Sequence, residues 1–164
     1  IGHLFPVMPV HRLAEMPGRN AILADITCDC DGKIDRFIDK QGVRRALKLH
    51  AVREDEDYHL GVFLVGAYQE TLGDLHNLLG DTNVVSIRVH EDGSLSFVRE
   101  LEGDSVADVL SYVEYEPKNM TKQFRAVAEQ AVRENLISPQ ERREIMNTYE
   151  EGLRGYPYFE PNRP

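Results

Sequence analysis

The chain has 164 residues, a length that fits one compact domain with a helical appendage, and 41% of them are hydrophobic, which is enough for a core. A formal net charge of −9 argues against nucleic acid and anionic membranes as partners, and no run reaches the roughly 18 apolar residues that a membrane span needs. Cys28 and Cys30 are one residue apart and cannot easily form a disulfide, so we expect reduced thiols and a cytoplasmic protein.

Residues 1–103 show the alternating polarity that is typical of β-strands. The chain begins at Ile1 within strand-like sequence, from which we expect a piece of a longer protein. Residues 58–68 form the most apolar run and predict a buried central strand, and residues 69–79 suit a short helix. The other predicted strands are a proline-containing edge strand within 3–13, strands at 21–27, 33–38 and 44–50, and a hairpin at 85–97 around Asp92-Gly93. Together these strands indicate an antiparallel β-barrel or sandwich.

After Gly103 the hydrophobic period changes to about 3.6 residues, which predicts helices. Asp104 is the expected N-cap of the first helix, Pro117 opens the second, and the capping box Ser138-Pro139-Gln140-Glu141 begins the third. The expected buried faces are Val106, Val109, Leu110 and Val113, then Met120, Phe124, Val127 or Ala128 and Ala131, and finally Ile145, Tyr149 and Leu153. The sequence therefore predicts an α+β chain, with a β-barrel domain over residues 1–103 and a small helical bundle over 104–164, whose tail aromatics pack against a neighbouring surface.

The predicted strand 21–27 runs into a cluster of thiols and carboxylates: Asp25, Cys28, Asp29, Cys30 and Asp31, with Gly32 behind them. A thiol beside carboxylates at the end of a strand is able to deliver protons, bind a metal or hold a cationic substrate. A plain β-turn with incidental cysteines explains the same residues without any site. A 12-residue calcium loop counted from Asp29 fails, because Lys40 stands where a glutamate ligand is required, and Cys-x-Cys lacks a second pair of zinc ligands. We therefore expect no metal site here.

The same cluster belongs to a longer motif, Leu23-Ala24-Asp25-Ile26-Thr27-Cys28-Asp29-x-Asp31-Gly32-Lys33-Ile34. Further motifs are Phe5-Pro6-Val7-Met8-Pro9, Gly61-Val62-Phe63-Leu64-Val65-Gly66-Ala67-Tyr68-Gln69-Glu70, Leu75-His76-Asn77-Leu78 with Gly80-Asp81-Thr82, and Gly152-Leu153-x-Gly155-Tyr156-x-Tyr158. In this order and at these intervals they resemble biosynthetic arginine decarboxylases, which belong with ornithine and diaminopimelate decarboxylases to the fold-type III group of pyridoxal-phosphate enzymes. The similarity covers nearly the whole chain, and Cys30 departs from it, since serine is expected at that position.

The resemblance implies roles for four residues. Cys28 matches the cysteine that protonates the substrate carbon after carbon dioxide leaves, and Asp29 matches the acid that binds the distal guanidinium. Asp31 competes with Asp29 for that role, and Tyr68 matches the tyrosine whose hydroxyl holds the phosphate of pyridoxal 5'-phosphate. The resemblance also implies L-arginine as the substrate, agmatine and carbon dioxide as products in polyamine biosynthesis, a homo-oligomer with its active site at the dimer interface, and Mg2+ as a further cofactor.

In this family the lysine that binds the cofactor lies in an N-terminal α/β barrel, and no such barrel fits in 164 residues. The resemblance therefore implies that the chain is the C-terminal part of such an enzyme and is inactive alone. Two other interpretations stay open. One is a freestanding, non-catalytic β-barrel module for binding or assembly, and the other is a decarboxylase that acts on ornithine, lysine or a carboxylated polyamine.

Overall fold

The computed structural model describes residues 4–27, 31–66 and 75–158 of the chain. The described strands are β1 Val7–Pro9, β2 Arg19–Ala21, β3 Leu23–Ala24, β4 Lys33–Ile34, β5 Phe37–Asp39, β6 Gly42–Arg44, β7 Leu47–Leu49, β8 Leu60–Val62, β9 Val84–Val89 and β10 Leu95–Leu101. The described helices are a 3-10 turn at Leu75–Asn77, α1 Val106–Tyr112, α2 Pro117–Arg133 and α3 Pro139–Arg154. The predicted α+β class is confirmed.

The chain divides into two compact units, residues 1–71 and residues 72–164. The second unit contains the β9–β10 hairpin as well as the helices, whereas the sequence places the hairpin with the other strands. The boundary after residue 103 marks the change from strands to helices, and as a domain boundary it stays a prediction. Of the predicted short helix at 69–79, only the 3-10 turn at Leu75–Asn77 lies among the described residues.

The strands of the first unit pair in nested antiparallel couples. β1 pairs with β8, β2 pairs with β7, and the hairpins β3–β4 and β5–β6 lie between β2 and β7 in the sequence. The expected edge strand is confirmed in β1, whose Pro9 cannot donate to a ladder. Each of these strands has only two or three residues and one partner, so the described residues form separate two-stranded sheets and do not close into the expected barrel.

The prediction of a buried central strand at 58–68 is wrong for its described part. Only Leu60–Val62 form a strand, and Val62 and Leu64 are 41% and 86% exposed. The pairing stops early because Leu64 has a φ of 60°, a left-handed backbone that does not continue a strand. β8 also has β1 as its one partner among the described strands, so its other edge stays unpaired there.

The core of the first unit is small and is built around Phe37, which is 1% exposed, and Leu47. A buried histidine, His50, joins it to two neighbouring segments. The hydroxyl of Tyr58 accepts from the backbone N–H of His50 at 2.8 Å and lies 2.7 Å from its Nδ1, while Nε2 lies 3.0 Å from the carbonyl oxygen of Glu15. A neutral ring with its proton on Nε2 satisfies all three contacts, since the tyrosine hydrogen then points at Nδ1.

The hairpin of the second unit has the predicted form. β9 and β10 pair antiparallel from Val89 opposite Leu95 to Val84 opposite Leu101, with a register irregularity between Phe97 and Arg99. The Asp92 carboxylate accepts from the backbone N–H of Ser94 at 2.9 Å, which closes the turn around Gly93.

Two of the three predicted helix starts are confirmed. Pro117 occupies the first turn of α2, and the capping box is complete at Ser138, whose hydroxyl accepts from the Glu141 N–H at 3.2 Å. The N-cap of α1 is Ser105 rather than Asp104. The Asp104 carboxylate instead accepts the backbone N–H of Asp81 at 2.8 Å, so a contact distant in sequence takes the side chain that the local pattern assigns to the cap.

The helices bury Val109, Ala128 and Met146. Val127 is 66% exposed, so the inward residue of the two predicted alternatives is Ala128. Met146 is 5% exposed and Ile145 is 38% exposed, so Met146 takes the inward place predicted for Ile145. The other predicted residues of that face, Tyr149 and Leu153, are half-buried, and the Tyr149 ring stacks on that of Phe124. None of the helices in the described ranges is long and apolar enough to cross a membrane.

The predicted packing of the tail is confirmed for its two described tyrosines. The Tyr156 hydroxyl accepts from the backbone N–H of Asn83 at 3.0 Å, and the Tyr158 hydroxyl donates to the carbonyl oxygen of Gly80 at 2.6 Å. Burial of its ring raises the pKa of the Tyr158 hydroxyl, which therefore stays protonated and able to donate. Phe159 lies outside the described residues.

Candidate functional site

The candidate site is a loop held by the β3–β4 hairpin. Leu23 pairs with Ile34 and Ala24 with Lys33, and the backbone N–H of Asp25 donates to the carbonyl oxygen of Gly32 at 2.9 Å. The two ends of the loop formed by residues 26–31 are therefore held side by side by the hairpin. Cys28 and Asp29 belong to this loop but lie outside the described residues, as does Cys30.

The carboxylate of Asp25 lies at the base of the loop. Its Oδ2 accepts the hydroxyl of Thr27 at 2.5 Å. Its Oδ1 is buried and has no hydrogen-bond partner among the described residues. A buried carboxylate oxygen without a donor is costly to the folded state.

Gly32 allows that carboxylate to stay where it is. A Cβ added at Gly32 would lie 2.7 Å from Oδ2 and 2.8 Å from Cγ of Asp25, distances that are too short for real Cβ contacts. The glycine is therefore required for close approach and not only for a turn. The sequence marks Gly32 as a turn residue and Asp25 as one acid of the cluster, and does not predict their contact. The available signal was the Asp25-x-Thr27 spacing, which is typical of local side-chain hydrogen bonds at the end of a strand.

Asp31 is the predicted site residue that the structure describes. It is exposed at the point where the loop returns to β4. Lys33 and Asp35 follow it and form an exposed ion pair at 3.2 Å. An exposed carboxylate is free to meet a ligand from outside, but its competition with Asp29 for the guanidinium stays a prediction.

Tyr68, the predicted phosphate contact, lies outside the described residues, which end before it at Gly66. A Cβ added at Gly66 would meet nothing within 4 Å. A close approach of the β8 backbone does occur earlier, at Gly61, where an added Cβ would lie 2.7 Å from the side chains of Val10 and Phe63. Because both Cys28 and Tyr68 are outside the described ranges, their roles stay predictions.

The described residues do not form a complete pyridoxal phosphate site. All five lysines of the chain, Lys33, Lys40, Lys48, Lys118 and Lys122, are exposed. A lysine that binds the cofactor needs a pocket that excludes water and lowers its pKa. In the parts of the chain that the structure describes, no three His, Cys, Asp or Glu side chains are grouped as metal ligands would be.

The helical part of the chain is of a known type. Residues 106–159 match the family model described as the arginine decarboxylase C-terminal helical extension. In the structure, the described part of this segment consists of α1, α2, α3 and the tail that carries Tyr156 and Tyr158.

The similarity extends through the strands. The chain is 50% identical over 163 residues to a biosynthetic arginine decarboxylase of Gloeobacter violaceus, an alignment that covers 97% of this chain and 25% of that protein. It is 47% identical over 160 residues to the enzyme of that name from Bacteroides thetaiotaomicron, with 98% and 25% covered. A Nostoc enzyme of the same name is 47% identical over 159 residues, with 97% and 23% covered. The resemblance stated from the motifs is confirmed: the chain corresponds to the C-terminal quarter of biosynthetic arginine decarboxylases, and it spans about a quarter of the length of these curated relatives.

Proposed function

We propose that this chain is the C-terminal part of an enzyme that decarboxylates L-arginine to agmatine and carbon dioxide, as a step of polyamine biosynthesis. The observation that carries the proposal is the identity of 47–50% to enzymes named arginine decarboxylase, which continues from the strands through the helical extension. The closed base of the 26–31 loop supports it, because a residue that transfers a proton must be held in place.

In the proposed enzyme, bound pyridoxal phosphate supplies the electron sink for loss of carbon dioxide. The Cys28 thiol then donates its proton to the substrate carbon. An unperturbed thiol has a pKa of about 8.5, so near neutral pH it carries the proton that this role needs. Asp29 binds the substrate guanidinium through paired charge-assisted hydrogen bonds, with Asp31 as the alternative acid. Tyr68 donates to the cofactor phosphate.

The remaining parts of the proposal concern the assembly. The exposure of all five lysines supports a chain that is inactive without an N-terminal barrel, which brings the cofactor-binding lysine. We further propose a cytoplasmic homo-oligomer in which the cysteine loop completes a site at the dimer interface, with Mg2+ as an additional cofactor. The chain's net charge of −9 suits a cationic substrate better than an anionic one.

The two cysteines offer a matched test. In the complete decarboxylase, Cys28→Ala should slow turnover and raise the fraction of misprotonated product while pyridoxal phosphate binding is retained. Cys30→Ser, two residues away, should behave as the unmodified enzyme. Equal activity and clean agmatine from Cys28→Ala would remove Cys28 from the mechanism. Asp29→Ala and Asp31→Ala, compared with arginine, ornithine and lysine as substrates, assign the guanidinium contact to one of the two acids.

A second measurement tests the inactivity of the chain alone. The 164-residue chain is titrated with pyridoxal phosphate, and its absorbance is recorded together with carbon dioxide release from arginine. We expect no stable lysine-bound cofactor band and no release. A stable band that disappears after lysine-specific blocking would contradict this part of the proposal and would favour a site within the chain itself.

A further inference from the structure

The β9–β10 hairpin has an apolar face that the described residues leave uncovered. Residues paired directly across an antiparallel ladder point to the same side of it. The pairs Val89–Leu95 and Ile87–Phe97 therefore lie on one face, together with Val85, two residues before Ile87. All five side chains are exposed, from 45% at Val85 to 78% at Phe97. We call these five residues the apolar hairpin face.

The other face of the hairpin is polar. The pairs Arg88–Ser96 and Ser86–Arg99 lie on it. One apolar and one polar face are typical of an antiparallel sheet that packs one side against a core. A two-stranded hairpin alone is marginally stable in water and needs a further element against its apolar side. The pattern of the hairpin therefore indicates a partner for its apolar face.

The base of the hairpin is held in place within the second unit. The backbone N–H of Asn83 donates to the Tyr156 hydroxyl at 3.0 Å, and the side-chain oxygen of Asn83 accepts from the Gly103 N–H at 2.8 Å. The backbone N–H of Asp104 donates to the carbonyl oxygen of Asp81 at 3.0 Å. These bonds join the two ends of the hairpin and tie them to the tail that follows α3. The apolar hairpin face is therefore carried by a fixed base, which lowers the entropy cost of docking.

The length of the relatives indicates what covers this face. The alignments cover 97–98% of this chain but only 23–25% of the curated decarboxylases, of which the chain is the C-terminal quarter. A standard interface between two separate copies buries about 800 Å² and roughly 20–30 residues on each side, and five side chains offer far less. A partner on the same polypeptide needs less area, because the covalent link supplies a high effective concentration.

We propose that the apolar hairpin face docks against an apolar surface of the N-terminal part, which is the part of the complete decarboxylase that precedes this chain on the same polypeptide. The contact requires neither arginine nor pyridoxal phosphate. It depends on the family to which the chain belongs and not on the roles proposed for the 26–31 loop.

The first test places a photoreactive side chain on the face in the complete decarboxylase. Phe97→p-benzoylphenylalanine keeps an aromatic ring at the most exposed of the five positions. The same replacement at Arg88 is the matched control, because Arg88 lies on the polar face of the same hairpin. A denaturing gel separates crosslinks within one polypeptide from those between two copies, which double the mass, and mass spectrometry locates both ends.

We expect position 97 to crosslink mainly to the N-terminal part of the same polypeptide, and position 88 to give few crosslinks to it. Crosslinks from position 97 that join two copies, or that reach residues 1–71 of this chain, would overturn the proposal. Equal crosslinking to the N-terminal part from positions 97 and 88 would overturn it as well.

A second measurement uses the unmodified complete decarboxylase and compares two leucines of similar exposure. Leu95 on the apolar hairpin face is 64% exposed, and Leu136 after α2 is 72% exposed. Under hydroxyl-radical oxidation we expect Leu95 to be modified about 5- to 10-fold less than Leu136, because the centre of an interface excludes water. Similar oxidation of the two leucines would overturn the proposal even if the Phe97 variant fails to fold. Protection of Leu95 that disappears on dilution to single polypeptides would assign the face to a second copy and would also overturn it. Neither readout measures turnover, so failure of the proposed decarboxylation would leave both results unchanged.

Discussion

Replacing Gly32 by alanine tests whether the close approach of the Asp25 carboxylate to Gly32 stabilises the base of the 26–31 loop. The added Cβ would lie 2.7 Å from Oδ2 and 2.8 Å from Cγ of Asp25. The Asp25 carboxylate must then rotate away or the hairpin must open. Rotation breaks the hydrogen bond from Thr27, and opening breaks the bond from the Asp25 N–H to the Gly32 carbonyl.

The size of the effect follows from these two routes. Loss of a hydrogen bond to a charged group costs about 1.5–3 kcal/mol, and overpacking in a well-packed place costs about 1–3 kcal/mol. The chain takes the less costly route, so we expect Gly32→Ala to cost about 1–3 kcal/mol of local stability. Because about 1.4 kcal/mol corresponds to a factor of ten, the amide of Asp25 should exchange roughly 5- to 150-fold faster.

The measurement is amide hydrogen exchange at Asp25 and its neighbours in the decarboxylase that contains this chain. Gly18→Ala is the control, since a Cβ at Gly18 meets nothing within 4 Å and the residue has no positive φ. A glycine-to-alanine change at such a site stabilises the folded protein by a few tenths of a kcal/mol to about 1 kcal/mol, because alanine lowers the conformational entropy of the unfolded chain. Exchange at Asp25 should therefore stay the same or slow slightly in the control.

A double-mutant cycle tests whether the cost of Gly32→Ala comes from the Asp25 side chain. In the Asp25→Ala background the atoms nearest to the new Cβ are gone, so Gly32→Ala should cost less there by about 1 kcal/mol or more. An equal cost in both backgrounds would mean that the penalty comes from elsewhere in the hairpin. In that case the close approach of the Asp25 carboxylate to Gly32 does not affect the stability of the loop base.

The other predictions concern the helices. Ser138→Ala should destabilise α3 by about 1 kcal/mol, seen as faster amide exchange in its first turn, and an unchanged rate would mean that the capping box is not maintained in solution. Met146→Ala should cost about 2–5 kcal/mol in denaturant unfolding, whereas its exposed neighbour, changed as Ile145→Ala, should cost about 1 kcal/mol or less, and the reverse order would contradict the observed helix face. Hydrogen bonds from the side chain and backbone of Ser105 lower the pKa of Asp108, so its contribution to α1 is complete above the ordinary pKa of 3.8 and is lost as the pH falls through the lowered value. The loss of α1 helicity in that acid range should be absent in Asp108→Asn.

Features that depend on neighbours in the sequence were predicted correctly. The capping box at Ser138, the proline that opens α2 and the turn at Asp92-Gly93 all need only residues within one turn or hairpin. The prediction that Asp104 is the N-cap of α1 is wrong because it depends on a residue distant in the sequence. Its side chain suits an N-cap, but the N–H of Asp81, which precedes it by 23 residues, binds the carboxylate instead, and Ser105 caps the helix.

Burial was harder to predict because it depends on which surfaces meet. Residues 62–65 are apolar and were expected inside, yet they are exposed in the structure, and the inward residue of α3 is Met146 rather than Ile145. Hydropathy records the preference of a side chain for burial, but not whether another element covers it. Residues 62–65, at the end of β8 and just after it, are apolar and exposed, so a prediction from hydropathy alone fails for them. The chain spans only a quarter of its relatives' length.

The candidate site has features of both kinds, some given by residue type and others by contacts that form only in the fold. The residue types of the loop suggest a thiol for proton transfer and acids for guanidinium binding, and both roles stay predictions. The contact between Asp25 and Gly32 was not predictable from residue types, since it requires the loop to close and bring two sides of a hairpin together. The motif contains the proposed reacting groups, whereas the contacts at the base of the loop, between Asp25, Thr27 and Gly32, are found only in the structure.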